Sequence, residues 1–125
     1  MSVAVIDDDQ DDLDIMEQVI QGLHPDAPRQ LFMYPKDAVE KLVAASDEAR
    51  PTHIFIDINM PGMPGDKCLQ IFRSTPSFDK VQIIMYSTSM PEKTTNQLLA
   101  AGANFVFEKP VRIKDYTDIL SSLLR

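Results

Sequence analysis

Three short fragments hold the residues best able to do chemistry: Asp7-Asp8, Asp57 and Lys109-Pro110. Each follows a short apolar run, Val3-Ala4-Val5-Ile6, Ile54-Phe55-Ile56 and Phe105-Val106-Phe107. If these runs are parallel strands lying side by side, their C-terminal ends bring three carboxylates and one ammonium together. Carboxylates so gathered repel one another unless they hold a hard divalent cation such as Mg²⁺, which takes oxygen ligands in octahedral geometry. The lysine beside them points to an anion as the other member of the site, most simply a phosphoryl group.

The elements that must position these groups can be traced along the chain. Unbroken apolar runs suit strands buried on both faces. The run 3–6 is of this kind, and 30–34, 54–56, 81–86 and 105–107 read as the other strands. Between them lie helical patterns. Leu13, Met16, Val19, Ile20 and Leu23 recur at three- and four-residue spacing after Asp9 or Gln10, and Gly22, Pro25 and Pro28 end that helix. Pro35 opens a second helix with Ala38, Val39, Leu42 and Val43 on its buried side. Leu69, Ile71 and Phe72 mark a third, and Pro91 to Ala101 a fourth that Gly102 stops. Ile113, Tyr116, Ile119, Leu120 and Leu123 stripe a fifth. The loop Asn59-Met60-Pro61-Gly62-Met63-Pro64-Gly65 has the Pro and Gly density of a fixed turn. Strands alternating with helices predict an α/β fold, a parallel sheet covered on both faces. Ligands of such sheets bind beyond the carboxyl ends of the strands.

Composition narrows the classes of function. A chain of 125 residues, 44% apolar, suits one domain with a real core. A net charge of −7 argues against nucleic-acid binding, which needs cationic surface. Much of the acid lies at Asp9, Asp11, Asp12 and Asp14, where a solvated helix start, favoured by the helix dipole, accounts for Asp11, Asp12 and Asp14. The single cysteine, Cys68, rules out an intrachain disulfide and is expected to pack as a small apolar residue. With no Cys-His cluster, zinc is not expected. No apolar run approaches the ~20 residues of a membrane span. Met1 leads directly into a strand, leaving no secretory signal, so the expected location is cytoplasmic, with no membrane partner.

Taken together, the chain resembles the receiver domains of two-component response regulators. The resemblance covers essentially the whole chain. It rests on Val5-Ile6-Asp7-Asp8, the segment from Phe55 to Gly62, Gly65, Ser87-Thr88, and Gly102-Ala103 followed by Lys109-Pro110, in order and at the right intervals. It implies a flavodoxin-like (βα)5 doubly wound parallel sheet with strand order 2-1-3-4-5. It implies a single receiver domain over residues 1–125, with no output domain in the chain.

The resemblance also implies roles. Asp57 is the phosphoacceptor, taking a phosphoryl group from a phosphohistidine. Mg²⁺ is held by Asp8 and Asp57, by Asp7 through a water, and by the backbone carbonyl of Asn59. Lys109 pairs with Asp57 at rest and with the phosphoryl group afterwards, its direction set by a cis Lys109–Pro110 bond. Ser87 donates to a phosphoryl oxygen, and Thr88 offers a backbone N–H. Asn59 and Ser89 tune loss of the phosphoryl group to water. The partners implied are a sensor histidine kinase or histidine phosphotransfer protein, and a downstream target docked on the face of the fourth helix, fifth strand and fifth helix. Val106 stands where the family often carries Tyr or Phe as a rotamer switch, so output is expected from the loop after Ser87 and from the fourth helix. His24 and His53 are expected to be inactive, and Met60 and Met63 to pack in the loop rather than ligate, since Mg²⁺ rejects thioether sulfur.

Two other classes compete. A Mg²⁺-dependent phosphatase of the haloacid dehalogenase type also forms an aspartyl-phosphate, but wants a second carboxylate where Asn59 stands, and a cap segment. An unphosphorylated interaction module would keep the fold and lose the switch; Val106 is the one feature that favours it. The enzymatic activity expected is therefore limited to the domain's own phosphorylation and dephosphorylation.

Overall fold

The computed structural model describes residues 1–125. Five strands alternate with five α-helices: β1 (Val3–Ile6), α1 (Gln10–Leu23), β2 (Arg29–Phe32), α2 (Pro35–Ala44), β3 (His53–Asp57), α3 (Gly65–Arg73), β4 (Gln82–Ser87), α4 (Glu92–Ala100), β5 (Phe105–Glu108) and α5 (Ile113–Leu123). All strand pairs are parallel and the order is β2-β1-β3-β4-β5, the flavodoxin-like arrangement. Strand order reverses between β1 and β3, so the cleft above their C-terminal ends is the expected ligand position.

Period-two alternation divides the core into two layers. Ala4, Ile6, Ile54, Ile56, Ile83 and Met85 face Ala38, Val39 and Leu42 of α2 and Leu69 and Phe72 of α3. Val3, Val5, Phe55, Ile84, Tyr86 and Phe107 face Leu13, Met16 and Ile20 of α1 and Tyr116 and Leu120 of α5. Burial on both sides explains why β1 and β3 are continuously apolar. Cys68 is fully buried in the first layer, as expected, and its thiol is pushed up to about 11 by that burial and by Asp66.

Some boundaries differ from expectation. β2 is an edge strand ending at Phe32, and Met33-Tyr34 lead into α2 with the Tyr34 side chain exposed. Pro91 is the cap residue before α4 rather than inside it. A single 3₁₀ turn, Pro76–Phe78, leaves no periodic signature and buries Phe78 against Phe72, ring centroids 5.0 Å apart. Arg73 ties this region together. Its guanidinium donates to the carbonyls of Gly102, Phe78 and Val81 and to Asn104 Oδ1 at 2.7–2.9 Å.

One glycine bears directly on the site. A Cβ at Gly65 would lie 2.2 Å from the Asp57 carbonyl oxygen and 2.8 Å from Ile58 Cα. The first residue of α3 therefore packs against the backbone that presents Asp57, and its N–H donates to the Ile58 carbonyl at 2.8 Å.

Candidate functional site

The Asp7-Asp8 pair directly follows β1, Asp57 ends β3, Ser87 ends β4 and Lys109 directly follows β5, all at the same end of the sheet. The backbone N–H of Asp7 is still held in the sheet by the Phe32 carbonyl at 3.0 Å, and that of Lys109 by the Ser87 carbonyl at 2.8 Å. Asp7 and Lys109 are thus fixed by sheet hydrogen bonding at their roots. One carboxylate oxygen from each of Asp7, Asp8 and Asp57 lies within 4.8 Å of the others. Asp7 is fully buried, Asp57 is 4% exposed and Asp8 is half-buried.

Asp7 is the most heavily engaged of the three. Its Oδ1 accepts from the Asp9 N–H at 3.0 Å, and its Oδ2 accepts from the Tyr86 hydroxyl at 2.8 Å. Lys109 Nζ lies 3.2 Å from the same Oδ2. Burial raises the Asp7 carboxyl above its ordinary value, and the Asp9 N–H, the Lys109 charge and the Tyr86 hydroxyl offset part of that rise. Asp57 has less support. Burial, followed by the negative charge of Asp7, pushes it up to about 7, with Lys109 pulling the other way. Lys109 is raised too: burial alone would lower it, but the hydrogen bond to Asp12 and the charges of Asp7 and Asp57 outweigh that. Buried carboxylates that remain short of positive charge are the electrostatic condition that a bound cation relieves. Their donors are hard oxygens, which fits a cation of the Mg²⁺ class.

Lys109 departs from expectation in its partner. Its shortest contact is with Asp12 Oδ2 at 2.7 Å, whereas Asp57 Oδ1 is at 3.6 Å. Asp12 is therefore part of the site and not just a solvated helix-start acid. The reason is positional: α1 begins immediately after the acid pair, and Asp9 caps it by accepting from the N–H groups of Asp11 and Asp12. The first turn then carries Asp12 over the sheet end. The Lys109–Pro110 bond is trans, against the cis bond implied above, and the lysine takes its direction from its carboxylate partners.

Ser87 is 1% exposed, and its Oγ accepts from Asn59 Nδ2 at 2.9 Å, which joins the end of β4 to the loop after β3. Thr88 and Ser89 are exposed just beyond the strand. A cleft lined by Ile58, Asn59, Asp66, Gln70, Thr94 and Gln97 opens beside this pair.

The second residue that sequence reasoning missed is Tyr86. It is fully buried, pairs in register with Asp57, stacks on Phe107 at 5.3 Å between centroids, and lies 5.0 Å from Lys109 Nζ at its ring. The signal was its place one residue before Ser87, at the end of a strand otherwise read only as core. Val106 packs in the α2–α3 layer, and Phe107 in the opposite one, as alternation requires; Phe105 is 42% exposed. His24 bonds the Leu124 carbonyl and His53 bonds Thr52, both away from the site. Met60 is buried in the α2–α3 layer and Met63 packs against it.

A family model described as the response regulator receiver domain matches residues 3–121. The chain is 28% identical over 116 residues to hybrid signal transduction histidine kinase C of Dictyostelium discoideum, a match spanning 88% of this chain and 9% of that protein's length. It is 25% identical over 131 residues to two-component response regulator ARR6 of Arabidopsis thaliana, spanning 100% of this chain and 70% of that one. Among solved structures, the signal receiver domain of DNA binding response regulator merR from Colwellia psychrerythraea 34H aligns with a TM-score of 0.85 at 24% identity, covering 99% of this chain and 98% of that chain, a likeness of fold. No helix is long and apolar enough to cross a membrane.

Proposed function

The chain belongs to the response regulator receiver domains, and from that premise we propose that it is a phosphoacceptor switch whose acceptor is Asp57. The observation that carries this reading is the convergence of a nearly buried Asp57, pushed up to about 7, with Asp7, Asp8 and Lys109. The donor is a phosphohistidine of a sensor kinase or phosphotransfer protein. An Asp57 carboxylate oxygen attacks phosphorus. The O–P bond forms as the N–P bond breaks, and the imidazole nitrogen leaves with the bonding pair and takes up a proton.

Asp8, Asp57 and the backbone carbonyl of Asn59 are the direct ligands proposed for Mg²⁺. Asp7 is better suited to an indirect role, because both of its oxygens already accept hydrogen bonds. When bound, the ion supplies the positive charge that lets a carboxylate approach an anionic phosphoryl group. Lys109 adds its own charge on the other side. Ser87 accepts from Asn59, so its own O–H remains available to a phosphoryl oxygen, and the exposed Thr88 can offer its backbone N–H. Asn59 and Ser89 flank the path of the water that would remove the group.

Drawing Ser87 toward the phosphoryl group moves the loop between β4 and α4. That loop is linked to β5 through the Met90 N–H and Glu108 Oε1, at 3.2 Å. The α4–β5–α5 face carries exposed Leu99, Phe105, Val111 and Ile113, which supports its use for docking a downstream protein. We read residues 1–125 as one receiver unit in the cytoplasm, with no activity beyond its own phosphorylation and dephosphorylation.

Intact mass after incubation with acetyl phosphate, with and without Mg²⁺, tests this reading. A Mg²⁺-dependent gain of about 80 Da, absent in Asp57→Asn, is expected. No gain from acetyl phosphate together with no spectroscopic response to beryllofluoride would favour the unphosphorylated interaction module.

A further inference from the structure

Lys109 rests nearer to Asp12 than to the residue it is expected to serve. Its Nζ is 2.7 Å from Asp12 Oδ2, 3.2 Å from Asp7 Oδ2 and 3.6 Å from Asp57 Oδ1. Asp7 and Asp57 belong to the converging carboxylate set, and Asp12 does not. Asp12 reaches the ammonium from the first turn of α1, where its backbone N–H is fixed by the Asp9 cap at 3.2 Å. The lysine side chain is only 7% exposed and that of Asp12 is 21% exposed, so water competes weakly for this contact. A short charge-assisted hydrogen bond in such surroundings is among the stronger polar contacts available.

We propose that Asp12 is a positioning residue that holds the Lys109 ammonium in reserve at the start of α1 and competes for it with a phosphoryl group on Asp57. The inference rests on Asp57 being the acceptor. An arriving anion must then draw Nζ from Asp12 or share it, and the strength of the Asp12 hold is subtracted from the affinity of the occupied state. Asp12 touches none of the reacting atoms; it acts through Lys109. The same displacement loosens the first turn of α1 from the segment that follows β5, since the contact joins residues 97 apart in sequence.

The test compares Asp12→Asn with Asp11→Asn. Asp11 is exposed, one residue away in the same turn, and its side chain makes no contact with Lys109, so its substitution reports the loss of one negative charge alone. The probe is beryllofluoride with Mg²⁺. Asp12→Asn is expected to tighten binding roughly three- to tenfold relative to Asp11→Asn, at most about 1.4 kcal/mol. Asp12→Glu, which keeps the charge within reach of Nζ, should return toward wild type. In the ligand-free protein the Lys109 Nζ resonance should shift in Asp12→Asn and stay put in Asp11→Asn. Equal affinities and unmoved resonances in the two asparagine variants would overturn the inference while leaving Asp57 as acceptor. A wild-type protein that binds no beryllofluoride would remove the acceptor reading, and the competition inferred here with it.

Discussion

The Tyr86 hydroxyl donates to Asp7 Oδ2 at 2.8 Å, joining the end of β4 to the end of β1 across β3. Both residues are fully buried. Burial and the Asp7 charge drive the Tyr86 hydroxyl well above its usual range, so it stays protonated and a donor. Tyr86→Phe would keep the ring and its stacking on Phe107 while leaving Asp7 Oδ2 with Lys109 alone. The expected cost is about 1–2 kcal/mol, because a buried acceptor loses a partner. Urea midpoints of the two proteins without Mg²⁺ check this; an unchanged midpoint would mean that Lys109 fully replaces the phenol.

Asp57 sets a pH dependence of known sign. Its carboxyl stands at about 7 in the fold against an ordinary 3.8, so the folded state binds a proton that the unfolded chain has released. The stabilisation from this proton is complete below the ordinary value and is lost as pH rises to about 7. Without Mg²⁺, stability contributed by this group should therefore fall between those limits. Asp57→Asn should remove that slope and stabilise the metal-free protein at pH 7.5 by up to about 4 kcal/mol, seen as a higher thermal midpoint. Millimolar Mg²⁺ should narrow the gap by binding the folded wild type. Thermal melts across pH, with and without the ion, would give the sign directly.

Arg73 shows how one side chain can hold a region that has little regular structure. It serves carbonyls of the 3₁₀ turn, of Val81 before β4 and of Gly102 after α4, and it also bonds Asn104. Asn104 in turn accepts from the Ile83 N–H at 2.8 Å. Arg73→Ala should cost about 2–4 kcal/mol, since several part-buried acceptors lose their donor together. Arg73→Lys should recover only a fraction, because an ammonium cannot reproduce the planar fork. Chemical denaturation of the three proteins distinguishes these outcomes.

These residues also mark what the sequence could and could not disclose. Val3-Ala4-Val5-Ile6 and Ile54-Phe55-Ile56 announce doubly buried strands because every position is apolar, and the acids after them stand out by contrast. The helical stripe of Leu13, Met16, Val19 and Ile20 is equally legible. β2 was harder, since an edge strand is only half-buried and its apolar residues run on into the turn at Tyr34. Pairings that depend on distant placement left no local trace. Asp12 looked like any acid in a helix start, and Tyr86 like any core aromatic, until the sheet brought them to Lys109 and Asp7. Asp57, the partner that the resemblance implies for Lys109, ranks third in distance because nearer carboxylates occupy the ammonium.

Gly65 connects the fold to the site most directly. The position is helical, so an alanine there would have suitable backbone angles; the obstacle is space. Its Cβ would meet the carbonyl oxygen of Asp57 and Cα of Ile58, both backbone atoms that cannot swing aside. Either α3 must retreat, opening the layer around Cys68, Leu69 and Phe72, or the end of β3 must shift and carry Asp57 with it. Gly65→Ala should therefore lose about 2–3 kcal/mol of stability, in the upper range for overpacking. It should also weaken Mg²⁺ binding beyond what Arg73→Ala does at equal loss of stability, because only the first moves a candidate ligand. Denaturation midpoints set beside Mg²⁺ titrations of both variants separate the two effects. Equal Mg²⁺ affinities would mean that α3, rather than β3, gives way.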